Sequence, residues 1–228
     1  MPLPAPDVER LFTLGSRYVS SRGETATVIA LPTAELPLPS GTVSACDPYV
    51  SLEEQEDEPF PQTAPPGTHP VTLSVVEFAG PDDPRYHPDR RVAAAHLRLR
   101  EEPAVRWALA DGDEEEQQAL GDHEYLGYAV DAGTGCFHDA AAREALYAHF
   151  GDADVLEAAF DALADTDPCR LGPVRFTDPA TGAGLVAFRS GRGDGLYPTW
   201  AGYGADGQPV ALITEFLIVP QPGRTYED

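Results

Sequence analysis

The sequence predicts an α+β fold, built on a largely antiparallel β-sheet with an N-terminal helix and two consecutive mid-chain helices. Alternating apolar runs between residues 70 and 109 and again after 184 supply the strands. Asp206-Gly207, set between two apolar runs, is a strong local hairpin signal. Two Ala-rich segments that each follow an aspartate, AAAREALYAHF after Asp139 and ADVLEAAFDALAD after Asp152, supply the helices. With 228 residues, the chain fits one domain spanning 1–228. Such a chain buries roughly 70% of its unfolded surface, enough for a core without disulfide or metal staples.

In chain order, Asp7 is placed to cap a helix running to about Tyr18, with Val8, Leu11, Phe12 and Leu14 on its apolar side; residues 1–25 form this N-terminal element. TATVIALP and the stretch Gly41 to Ala45 read as short strands. Residues 47–70 carry Pro59, Pro61, Pro65 and Pro66 and the run Glu53, Glu54, Glu56, Asp57, Glu58, and read as an acidic surface loop. The segments from Pro70, Arg90 and Ala104 read as three strands of a meander. In the second, Val92, Ala94, His96 and Arg98 oppose Ala93, Ala95, Leu97 and Leu99.

DGDEEEQQALGDHE from Asp111 reads as an acidic loop or a short exposed helix, followed by a strand, EYLGYAVD, ending at Asp131. After the two helices, GLVAFRS, LYPTWAGYG and PVALITEFLIV return to strands.

Charge narrows the function classes. Fifteen basic residues, all arginine, face 38 acidic ones for a net charge of −23. That field repels phosphate backbones and anionic lipid, which argues against nucleic-acid or membrane partners and favours a basic protein partner. Asparagine and lysine are both absent, as expected of a high-GC genome, so part of the acidity is compositional. MPLPAPDVERLF has neither a basic n-region nor a long apolar run, so a cytoplasmic location is expected. Cys46, Cys136 and Cys169 are few, odd in number and without CxxC spacing, and read as free thiols.

Three motifs concentrate glycines, aspartates and aromatics: SGTVSACDP at 40–48, VDAGTGCFHD at 130–139 and FRSGRGDGLYPTWAGYGADG at 188–207. In order and spacing they resemble the bacterial family catalogued as domain of unknown function 4241, and PPGTHPV, RVAAAHL and RWALA extend the resemblance over most of the chain from Ser40 onward. The resemblance implies a fold family and carries over no substrate, cofactor or catalytic residue. It implies an aspartate before Phe216, where this chain has Glu215.

The motifs offer four candidate sites. Cys136 with His138 would suit a thiolate held at the N-terminus of the following helix, although two residues on one segment do not make the usual assembled pair. Gly133, Thr134 and Gly135 could turn backbone N–H groups towards an anion, but the pattern is neither GxGxxG nor a P-loop. Asp47, Asp131, Asp139 and Asp194 would hold Mg²⁺ or Ca²⁺ if their turns converge, giving a metal-dependent hydrolase; otherwise they serve as caps and turn residues. Arg189, Ser190, Gly193, Asp194, Gly195 and Tyr197 would rim a pocket.

Cys46 completes the candidate set, beside Asp47. The leading expectation is a binding domain, immunity-like or accessory, with its site built from these turns. The alternatives are the hydrolase and motifs that only specify the fold.

Overall fold

The computed structural model describes residues 1–21, 23–50, 58–80, 88–150, 153–221 and 224. The fold is mostly antiparallel β: of the described residues 39% are in strands and 13% in helices, so the helices decorate the sheets instead of forming a layer of equal weight.

The largest sheet is built from β1 (Arg17–Val19), β2 (Thr25–Ala30), β3 (Thr33–Leu38), β5 (Gly67–Phe78), β6 (Asp89–Arg98), β7 (Arg106–Leu109), β13 (Thr199–Tyr203) and β14 (Pro209–Glu215). Its order is β1-β2-β5-β6-β14-β13-β7, with β3 pairing along the other half of the edge of β5 that β2 occupies. A second sheet is made of β4 (Val43–Cys46), β9 (Thr134–Asp139), β10 (Val174–Thr177) and β11 (Gly184–Arg189), in the order β10-β11-β9-β4. A ribbon pairs β8 (Tyr128–Val130) with β12 (Gly195–Tyr197).

The two larger sheets bury a common core. Leu36, Leu73, Leu97 and Leu212 from the first meet Val43, Phe137, Val186 and Phe188 from the second. Phe188 stacks edge-on to both Phe137 and Phe216, at ring separations of 5.7 and 6.0 Å. The outer face of the second sheet, with Cys46, Cys136, Leu185 and Ala187, packs against Leu146 of α3 (Arg143–Phe150) and Leu156 and Phe160 of α4 (Ala153–Asp161). On the far side of the first sheet, Leu11 of α1 (Val8–Leu11) joins Tyr18, Ile213 and Val219.

The observed elements depart from the expected ones at several places. Asp7 does cap the first helix, accepting from Arg10 N–H at 3.1 Å, but α1 ends at Leu11 and Tyr18 lies in β1. Gly15 at φ +82 turns the chain back, and Leu14 points to solvent with 60% of its surface exposed. The first three strands after residue 66 are not a meander, because β14 and β13 are inserted between β6 and β7. The alternation in β6 is also broken. A bulge opposite Ser74/Val75 puts Val92 on the inter-sheet side with Ala95 and Leu97, while Ala93 and Ala94 share the other face.

Within the 47–70 stretch, residues 51–57, including Glu53, Glu54, Glu56 and Asp57, lie outside the described residues. The remainder, from residue 58 on, is not a surface loop throughout, since Phe60 and Ala64 are core residues and β5 begins at Gly67. This segment runs along the outer edge of β4: Phe60 N–H donates to Val43 O at 2.8 Å, Ser44 Oγ–H to Glu58 O at 3.2 Å and Ala64 N–H to Gly41 O at 2.8 Å.

Asp111–Glu124 does include a short exposed helix, α2 (Glu114–Ala119), closed by a reciprocal capping box between Asp113 and Glu116. Asp139 caps the turn that leads into α3, whereas Asp152 lies outside the described residues. The β13–β14 hairpin turns at Asp206-Gly207, where Gly207 has φ +79 and Asp206 accepts from Gln208 N–H at 2.9 Å.

Candidate functional site

The three motif segments meet at one end of the second sheet, held together by hydrogen bonds to the Asp47 carboxylate and between backbones. Asp47, 1% exposed just after β4, accepts from Tyr49 N–H at 2.9 Å, Asp131 N–H at 2.9 Å and Ala132 N–H at 2.7 Å. Burial raises its pKa, and these three donors oppose the rise. Asp131 itself is exposed and contributes its N–H. Gly133, at φ +63, accepts at its carbonyl from Ser190 N–H at 3.1 Å.

The third motif closes on itself. Ser190 Oγ–H donates to Gly193 O at 2.8 Å, and Tyr197 O–H to the same carbonyl at 2.7 Å. Gly193 needs its φ of +110 for this turn; Asp194 beyond it is exposed, and Gly195 opens β12. Arg189 donates to Thr134 Oγ1 at 2.9 Å and to both oxygens of Glu157 at 3.0 Å, with its guanidinium 4.1 Å from the Phe160 ring centre. That pair, with one guanidinium nitrogen shared between both carboxylate oxygens, holds the Glu157 carboxyl below its ordinary range and ties α4 to the sheet.

The second motif differs most from expectation. GTGCFHD is not a loop leading into a helix but the central strand β9, with Thr134 to Asp139 all buried. Cys136 is therefore mid-strand and fully buried, not in a loop at the start of a helix. His138 is equally buried, its Nδ1 3.1 Å from Asp139 O. Gly135 is paired in the sheet, so its N–H does not turn towards an anion. Asp139 accepts from Ser40 N–H, Ser40 Oγ–H and Ala141 N–H at 3.0, 2.6 and 3.0 Å. Among the described residues, no group of three or more His, Cys, Asp or Glu side chains is placed to hold a metal ion. Asp47 and Asp139 spend their carboxylate oxygens on backbone and hydroxyl donors, while Asp131 and Asp194 face solvent.

Next to these turns lies an open cleft of about 380 Å³, lined by Cys46, Glu58, Asp111, Glu116, Leu126 and Tyr128 among others. Asp111 follows Ala110, which is fully buried one residue past the end of β7. Its Oδ2 is buried with no hydrogen-bond partner, and burial alone pushes its pKa up to about 6. Glu58 and Glu116 are the other charged lining residues. Sequence reasoning names Cys46 from this cleft but passes over Asp111, Glu116 and Tyr128. The available signal is the apolar run RWALA, which leads directly into Asp111.

Fold and site together define a mostly antiparallel β protein in which an open acidic cleft adjoins three interlocked motif turns. The chain belongs to the family described as protein of unknown function (DUF4241), whose model matches residues 36–214. No curated protein and no solved structure matches it. Among the described residues, no helix is long and apolar enough to cross a membrane.

Proposed function

We propose that this protein is a binding domain whose cleft receives a cationic side chain, an arginine or lysine, from a basic protein partner. One observation carries the reading: Asp111 keeps a buried carboxylate oxygen without a partner in a cleft whose other charged lining residues are both glutamates. An ionised carboxylate in such a place is costly, and a guanidinium or ammonium group would offset that cost by direct pairing. The net charge of −23 would steer such a partner towards the protein at low salt. Asp47, which anchors the interlocked turns, directly follows the cleft residue Cys46 in the chain. A cytoplasmic setting goes with three unbridged cysteines. An immunity-like or accessory role is the biological form such a protein would take.

The test is calorimetric titration with a short arginine-rich peptide and with its glutamate-substituted counterpart, against wild type and Asp111→Asn. Binding of the basic peptide alone, weakened at least tenfold by Asp111→Asn, supports the reading. No heat with either peptide, or equal affinity in the variant, overturns it.

A further inference from the structure

Cys46 and Cys136 are register partners on the adjacent antiparallel strands β4 and β9. Both thiols point to the face covered by α3 and α4, and their sulfurs are 3.6 Å apart. Directly opposed residues of an antiparallel pair have Cα atoms about 4.5–5.5 Å apart, inside the window of about 4.4–6.8 Å that a disulfide requires. That spacing permits the sulfurs to close to a bond length of about 2.05 Å. Cys46 belongs to the wall of the cleft while its thiol is fully buried, so a small oxidant reaches the pair through local opening of that wall. Cys169 is exposed and belongs to neither strand.

We infer that Cys46 and Cys136 form a dithiol modification site, oxidised to an intramolecular disulfide by a small peroxide that enters from the cleft. With hydrogen peroxide, the Cys46 sulfur attacks one peroxide oxygen. The O–O bond breaks, Cys46 becomes a sulfenic acid, and the departing hydroxide takes up the thiol proton as water. Cys136 then attacks the Cys46 sulfur. The S–S bond forms, the S–O bond breaks, and the sulfenic oxygen leaves with the Cys136 proton as a second water. Two thiols are oxidised and one peroxide is reduced.

The site is slow in its resting state. The hydrogen bond with Cys136, and then burial, hold the Cys46 thiol well above its ordinary pKa, while His138 favours the thiolate. The exposed Cys169 reacts at its own rate, so the test is made in a Cys169→Ser background.

The folded Cys169→Ser protein is treated with hydrogen peroxide, quenched, unfolded, alkylated and mapped by proteolysis and mass spectrometry. The expected result is a peptide pair linked through Cys46 and Cys136, lighter by two hydrogens and separated by dithiothreitol. Cys46→Ala and Cys136→Ala, each in the same background, should yield no linked pair. If both thiols are still fully alkylated after prolonged treatment, or the product is a sulfinic or sulfonic acid without a linked pair, the inference fails. Both outcomes are read in the Cys169→Ser protein without relying on the alanine variants, so an alanine variant that does not fold leaves the test intact.

Discussion

The Asp47 carboxylate accepts the backbone N–H of Asp131 at 2.9 Å, joining the end of β4 to a turn more than eighty residues later in the chain. With Ala132 and Tyr49 it completes a three-donor shell around one buried side chain. Hydrogen bonds to charged groups contribute about 1.5–3 kcal/mol each, and part of that is consumed by burying the carboxylate. Asp47→Ala should therefore destabilise the fold by about 2–4 kcal/mol in urea unfolding. Asp47→Asn keeps one acceptor oxygen and should lose less.

Asp111 should behave in the opposite way. Its folded-state pKa of about 6 lies above the ordinary 3.8, so the folded protein binds this proton more tightly than the unfolded chain. The associated stability is complete below pH 4 and is lost as pH rises through 6. Asp111→Asn should thus be more stable than wild type at pH 7.5, by on the order of 2 kcal/mol, with the advantage shrinking at pH 4. Denaturant midpoints at the two pH values measure this. Binding of a cationic peptide should weaken over the same range as pH falls and Asp111 is neutralised.

At Gly127 a methyl group would meet the backbone of the neighbouring ribbon strand, since an added Cβ lies 2.2 Å from Tyr197 O and 2.5 Å from its carbonyl carbon. Neither atom is the end of a flexible side chain. Gly127→Ala should cost about 1–3 kcal/mol and lower the thermal midpoint, because β8 and β12 would have to separate.

Arg224 and Glu215 form an ion pair of 2.6 Å with both side chains fully buried, and Arg224 also donates to Pro4 O. Burial raises the Glu215 pKa, and Arg224 opposes the rise. Arg224→Ala leaves Glu215 uncompensated and should destabilise by about 3–5 kcal/mol. The double variant Arg224→Met/Glu215→Gln should recover most of that loss, a coupling that a double-mutant cycle in guanidinium measures directly.

Parts of the architecture were legible because local chemistry decides them. Asp206-Gly207, the capping aspartates Asp7 and Asp139, and the alternation of β5 all depend on neighbours within a few residues. The features that stayed open depend on partners far along the chain. GTGCFHD looks like a glycine turn until β4 and β11 flank it and make it a central strand. The switch of faces at Ala93/Ala94 is a bulge set by the pairing with β5, invisible in the pattern of β6 alone. Asp111 stayed hidden for a related reason: a run of acids normally marks solvent, and only the strand before it reveals that the first of them is drawn inward. The turns of the motif residues were readable as turns, but not the way Asp47, Gly133 and Ser190 lock into one another.

The cover that residues 58–64 lay along β4 bears on how the protein behaves in crowded solution. β4 is buried at every position, and its sequence, VSAC, carries no charge, so a bare edge of this kind would be a template for strands of other molecules. The hydrogen bonds of Phe60 and Ala64 to Val43 and Gly41 occupy that template from within the same chain. The proline-rich piece thus leaves less of that edge open to strands of other molecules. Replacing Phe60 with a small polar residue would loosen it, and the defect would show as concentration-dependent light scattering from protein whose circular dichroism still reports an intact sheet.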